Sequence, residues 1–167
     1  MSEPLNVAVL TVSDTRTRDT DTSGQYLCKV LEEDGHNLNG YEIDRDDLYL
    51  LRARVSIWIA SSEVEVILIT GGTGFTSRDS TPEAIKPLLD LRIDGFGELF
   101  RAVSYEEIGT STLQSRAVGG MANGSLVFCI PGSPGACKTA WLKILKDQLD
   151  INHRPCNFAE LIKIGSH

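Results

Sequence analysis

At 167 residues the chain is the size of one domain and is long enough to bury a substantial core. Its 41% hydrophobic and 23% charged residues suit a soluble globular fold. A net charge of −7 with no basic run argues against nucleic acid as a partner. Met1-Ser2-Glu3-Pro4 is acidic and has no apolar core, so no signal peptide is expected. No apolar run approaches the roughly 20 residues that span a bilayer, which leaves a cytoplasmic protein with no membrane contact. Cys28, Cys129, Cys137 and Cys156 include no Cys-x-x-Cys pair and no zinc-ligand spacing to His36, His153 or His167. They read as reduced thiols, with Cys137 near a helix start where its pKa could fall.

In chain order, Asn6 to Val12 is a buried strand ending in Thr11, Ser13 and Asp14. Thr15 to Ser23 is a polar, mobile loop. Thr22 or Ser23 can cap a helix to about Asp34, ended by Gly35. A weaker strand, His36 to Ile43, belongs near an edge. Asp44, Asp46 and Asp47 all suit the start of the next helix, about Leu48 to Ala60. The run from Val64 to Thr70 is a strand buried on both faces. Small residues follow it, then a helix from Pro82 to about Asp90, with Ser80 or Thr81 as cap. A short helix from Asp94 carries Phe96, Leu99, Phe100 and Val103 on one side, and Ser104 to Glu107 has the form of a capping box. Gly109 to Ala117 reads as a loop entering another short helix, with a short β element at about Ala117 to Met121. Asn123-Gly124 turns into a second strong strand ending at Ile130. Pro131 to Gly135 opens a helix of about Ala136 to Leu149. The tail after Ile151 reads as an arm, with Phe158, Leu161 and Ile162 docking on this or another subunit. The core is about 5–150 and the arm about 151–167, in a single domain.

Strands alternating with helices predict an α/β fold: a three-layer, mostly parallel sheet with helices on both faces. The segments that follow parallel strands meet at one edge, where ligands bind. The richest of them is Thr70-Gly71-Gly72-Thr73-Gly74, continuing to Arg78-Asp79 and a helix start. Glycines there let bare backbone N–H groups approach a ligand, and a helix N-terminus favours an anion. The stretch is not a Walker A loop, which needs Gly-Lys-Ser/Thr, nor the dinucleotide fingerprint, because Ser77 stands in place of the third glycine. Thr11 to Asp14, Asp44 to Asp47 and Pro131 to Gly135 share the edge. Arg78 and Lys138 are its basic residues, with simple solvation the default reading of Lys138. Carboxylates beside a phosphate call for a divalent cation. Asp46 and Asp79 therefore indicate a Mg²⁺ site with phosphate ligands and phosphoryl or nucleotidyl transfer. The alternatives are a helix-start carboxylate for Asp46 and a turn or cap residue for Asp79.

Thr70 to Gly74, then Arg78-Asp79-x-Thr81-Pro82-Glu83, Gly95-Phe96-Gly97-Glu98, Leu113-Gln114-Ser115-Arg116 and Pro131-Gly132-Ser133-Pro134 together resemble the molybdopterin-binding family. That family includes the bacterial molybdopterin adenylyltransferase and the G domains of plant and animal molybdenum-insertion proteins. Ser56 to Ser61, Glu106 to Arg116 and Arg154 to Phe158 resemble one branch of it most. The resemblance implies an oligomer, homotrimer or homohexamer, that works with other proteins of molybdenum cofactor biosynthesis. It also implies a pterin dithiolene whose terminal phosphate sits on the glycine loop, and, in the catalytic branch, adenylylation of that phosphate by ATP and Mg²⁺ with release of pyrophosphate. It puts the two acidic positions, catalytic and metal-holding, on Asp46 and Asp79. It puts ligand contacts on Thr11, Ser13, Asp14, Thr70, Gly71, Gly72, Thr73, Gly74, Ser115, Pro131, Gly132 and Ser133. Two functions follow, a Mg²⁺-dependent molybdopterin adenylyltransferase or a non-catalytic molybdopterin-binding or assembly protein. Asp at both acidic positions favours the first.

Overall fold

The computed structural model describes residues 3–165. Its centre is a six-stranded sheet in the order β2-β1-β3-β6-β5-β4, made of β1 (Asn6–Val12), β2 (Asn37–Asp44), β3 (Val66–Thr70), β4 (Leu91–Arg92), β5 (Val118–Ala122) and β6 (Ser125–Ile130). β2, β1, β3 and β6 pair in parallel, and β5 alone runs against the rest. Asn123 and Gly124, both at positive φ, turn β5 into β6. The helices are α1 (Thr22–Glu33), α2 (Leu48–Ala60), α3 (Thr81–Ile85), α4 (Asp94–Ile108), α5 (Pro134–Ala140) and α6 (Phe158–Gly165). α5 continues through a π-helical turn (Trp141–Leu145) into a last helical turn (Lys146–Gln148).

Alternation along each strand sorts the core into the two predicted halves. Val7, Val9, Val66, Leu68, Leu126 and Phe128 face Leu27, Leu31, Phe96, Phe100 and Trp141. Ala8, Leu10, Ile67, Ile69, Val127 and Cys129 face Leu51, Val55, Ala84 and Ile85. β2 lies at the edge, as its weaker pattern predicts. No helix among the described residues is long and apolar enough to cross a membrane.

Several local expectations give way to tertiary structure. The helix after the glycine turn is shorter than predicted: α3 ends at Ile85 and a 3₁₀ turn (Lys86–Leu88) contains Pro87, whose ring removes a helix N–H. The capping-box residues Ser104 to Glu107 lie inside α4, a single 15-residue helix, with Ser104 buried. Leu99 faces solvent there, because Phe96, Gly97, Phe100 and Ser104 form the packed stripe. Gly109–Gln114 is a 3₁₀ turn. α1 is capped by Asp21 rather than Thr22 or Ser23: its carboxylate accepts from Gly24 N–H at 3.0 Å. The preceding loop is braced by Thr17 N–H to Thr20 Oγ1 (2.9 Å) and Asp21 N–H to Thr17 O (2.9 Å).

The predicted arm forms α6 and docks on its own chain through Ala159 and Ile162, while Leu161 stays exposed. Buried Asn157 starts this helix. Its Oδ1 accepts from Glu160 N–H at 2.7 Å, and its Nδ2 donates to Ile151 O and His153 O at 3.1 and 3.0 Å. Asn157→Ala is expected to cost roughly 1–3 kcal/mol, a lost cap plus carbonyls left unpaired, measured by urea unfolding.

Candidate functional site

The chain leaves β1 through α1 to reach β2 on one side, then passes through α2 to β3 on the other. The strand order therefore reverses between β1 and β3, where the carboxyl edge of a parallel sheet opens a crevice. A cleft of about 350 Å³ lies there. Thr11, Ser13, Thr70, Gly71, Gly72, Thr73, Gly74, Asp79, Ser115, Pro131 and Gly132 line it, all predicted, and Val12, Arg16 and Gln114 join them. The register places Thr11, Thr70 and Ile130 side by side, so the loops after three neighbouring strands converge.

The glycine turn is held from several directions. Gly71 and Gly72 adopt φ +108° and +68°, open to glycine alone at little cost. Gly71 N–H donates to Ile130 O at 2.9 Å, and Thr81 Oγ1 donates to Gly71 O at 2.8 Å, so Thr81 secures the turn instead of capping α3. Arg116 brackets the far side: Nε donates to Gly74 O at 2.9 Å, Nη2 to Asp79 O at 3.0 Å, and Nη1 pairs with Glu83. Arg116 thus shapes the loop.

The two acidic residues sit against this turn, Asp79 within the cleft lining and Asp46 behind it, outside the lining. A Cβ built on Gly72 would lie 2.6 Å from Asp46 Oδ2, and one on Gly74 would lie 2.8 Å from Asp79 Oδ2. Asp46 is buried and accepts from Ser80 N–H at 3.1 Å and from the Ser80 hydroxyl. It is therefore no helix-start carboxylate: Asp47 caps α2, accepting from Tyr49 and Leu50 N–H, and Asp44 binds Arg54 at 2.8 Å. Burial raises the Asp46 carboxyl above its ordinary pKa against the Ser80 hydrogen bonds, and the charges of Asp79 and Asp14 add to the rise. Asp79 accepts from Thr76 N–H at 2.9 Å and Thr76 Oγ1 at 2.7 Å. Burial pushes its carboxyl up, but Thr76, the Gly74 N–H and Arg116 outweigh that and hold it below the ordinary value.

Other expected residues are used differently. Arg78 makes a two-pronged pair with Asp14, both contacts 3.0 Å, so it is neutralised, and Asp14 lies outside the cleft lining. Ser133 also lies outside it and caps α5, accepting from Ala136 N–H at 3.1 Å. Lys138 is exposed and does not reach the cleft. Burial pushes the Cys137 thiol up to about 11, against the expected fall, and it sits 3.1 Å from Thr70 Oγ1 beneath the loop. All four cysteines are free, with Cys28, Cys129 and Cys137 buried.

Among the described residues, Ser115 Oγ is a buried side-chain oxygen with no hydrogen-bond partner. Ser115 is 8% exposed and lines both the cleft and a neighbouring one of about 410 Å³, where Lys86, Arg92, Arg101 and Arg116 outnumber Asp94 and Glu98. Sequence reading missed this second basic cleft, because its cations come from four separate segments. No group of three or more His, Cys, Asp or Glu among the described residues is placed to hold a metal ion. The donors still fit Mg²⁺ bound chiefly by water and phosphate: two hard carboxylates flank the turn, and the charges of Asp79 and Asp14 bear on Asp46.

A mostly parallel sheet with a glycine turn at its switch point and acids on both sides of that turn defines an α/β ligand-binding domain. A family profile described as "Probable molybdopterin binding domain" matches residues 8–151. Molybdenum cofactor biosynthesis protein B of Escherichia coli (strain K12) is 54% identical over 160 residues, covering 96% of this chain and 94% of that one. A crystal structure of Molybdenum cofactor biosynthesis protein B superposes with a TM-score of 0.89 at 41% identity, over 100% of this chain and 98% of the other. A MogA structure does so with a TM-score of 0.78 at 27% identity, over 86% and 94%. The chain belongs to the molybdopterin-binding family of MoaB- and MogA-type proteins. The branch resembled by Ser56 to Ser61 and Glu106 to Arg116 is that of the molybdenum cofactor biosynthesis protein B relatives.

Proposed function

We propose that the chain binds molybdopterin in this cleft and adenylylates its terminal phosphate with Mg²⁺ and ATP, within molybdenum cofactor biosynthesis. The observation that carries this reading is the placement of Asp46 and Asp79 against the two ends of one glycine turn. A terminal phosphate oxygen of molybdopterin attacks the α-phosphorus of ATP, the bond from that phosphorus to the leaving oxygen breaks, and pyrophosphate departs with the electron pair. The N–H groups of Gly72 and Thr73, left over after Gly71 N–H binds Ile130 O and Gly74 N–H binds Asp79, orient the phosphate together with the Ser115 hydroxyl. Asp46 and Asp79 would hold Mg²⁺, which when bound neutralises phosphoryl charge. The neighbouring basic cleft leaves room for the rest of the ligand. The chain acts as a homotrimer or homohexamer in the cytoplasm with other pathway proteins; exposed Tyr49, Leu50 and Ile57 on α2 support self-association.

A second reading is a non-catalytic molybdopterin-binding or assembly protein. It is favoured by the local hydrogen bonds that already occupy both carboxylates. A turnover assay with molybdopterin, ATP and Mg²⁺ decides between them. Pyrophosphate and adenylylated pterin are the expected products. Tight pterin binding with no product would select the second reading, and no pterin binding at all would remove both.

A further inference from the structure

We propose that Arg16 is the cation of the cleft that grips the ligand's phosphoryl oxygens, an inference that rests on the phosphate-binding reading above. Arg16 and Asp79 are the charged residues lining the cleft. Arg16 is half-buried, and among the described residues it pairs with no carboxylate. Its Nη1 donates to Thr22 Oγ1 at 3.1 Å and, at the limit of 3.5 Å, to Thr20 O; Nε and Nη2 donate to nothing described. Arg45, on the loop after β2, is exposed and lies outside the cleft lining, and the remaining arginines of this edge are committed. Arg78 is held by Asp14, Arg116 by Glu83 and the loop carbonyls, and Arg18 by Glu42 and the Tyr41 ring and carbonyl.

In a chain of net charge −7, a half-buried guanidinium left without a carboxylate beside a glycine turn retains donors for an anion. Its backbone is fixed for the task. Ser13 Oγ accepts from Arg16 N–H at 3.0 Å and from Thr15 N–H at 3.2 Å, which makes Ser13 a positioning residue for Arg16. The unpartnered Ser115 Oγ lines the same cleft, a second group lacking a protein partner there. Arg16 also offsets the repulsion that Asp79 exerts on a phosphate. The chemistry recognised is a phosphoryl oxyanion, which either the pterin's terminal phosphate or the nucleotide's polyphosphate supplies.

Isothermal titration of the full chain with sodium pyrophosphate, with ATP in EDTA and with molybdopterin separates these sources. Arg16→Ala is expected to weaken at least one of them about 10- to 100-fold. Arg16→Lys should retain part of the affinity as a point charge, and Arg18→Ala should bind like the wild type. Loss confined to pyrophosphate and ATP puts Arg16 on the nucleotide, and loss confined to molybdopterin puts it on the pterin phosphate. A folded Arg16→Ala protein that binds all three as tightly as wild type overturns the role of Arg16 and leaves the parent reading intact. Wild-type protein that binds none of the three overturns both.

Discussion

Replacing Asp79 with Asn is expected to reduce AMP transfer to molybdopterin by about a hundredfold or more, with molybdopterin affinity little changed. Asp46→Asn should do the same, since both carboxylates abut the turn. Their effects on stability should have opposite signs. The folded state holds the Asp79 carboxyl below its ordinary 3.8. The stability it contributes is therefore present above that value and lost as pH falls through the lower folded pKa. At neutral pH Asp79→Asn should lower Tm, with the deficit closing in acid. The folded state raises the Asp46 carboxyl above 3.8. Its contribution is present below 3.8 and lost as pH rises through the raised folded pKa, so its ionised form at neutral pH opposes folding. Asn keeps an acceptor for Ser80, so Asp46→Asn should leave Tm unchanged or higher. Pterin affinity lost in either variant while turnover persists would refute the assigned roles. Turnover that survives both substitutions would do the same.

Gly71→Ala should destabilise the fold by roughly 3–5 kcal/mol and abolish ligand binding. The backbone is at φ +108°, and the added methyl would run into the carbonyl oxygen of Val12, which cannot rotate away because β1 is paired on both sides. Gly135→Ala is the internal comparison. A Cβ there meets no atom within 4 Å, and the residue lies in the first turn of α5. Alanine at that position should be neutral or stabilising by up to about 1 kcal/mol. Chemical unfolding of both proteins tests the pair, and equal midpoints would show that the turn is not under the constraint described.

The sequence by itself determined the parts of this protein that depend on neighbours along the chain. Val66 to Thr70 is an apolar β-branched run, and such a run followed by small residues dictates a buried strand and a tight turn with open backbone. Repeating strand and helix periods dictates the parallel sheet, and the parallel sheet dictates that Thr11, Thr70 and Pro131 share an edge. The acids at Asp46 and Asp79 were legible through the family pattern, and their opposite electrostatics were not. Which aspartate caps a helix and which packs against the glycine turn depended on Ser80, 34 residues away from Asp46. The same reason hid the use of Arg78 by Asp14, the grip of Arg116 on Gly74 across 42 residues, and the burial of Asp21 against Thr11 and Tyr41. Side-chain partners separated by tens of residues leave no periodic signal, because their pairing exists only after the sheet has brought the loops together. Tertiary structure alone therefore decided which charges are neutralised, which serve as struts, and which, like Arg16, are left without a carboxylate.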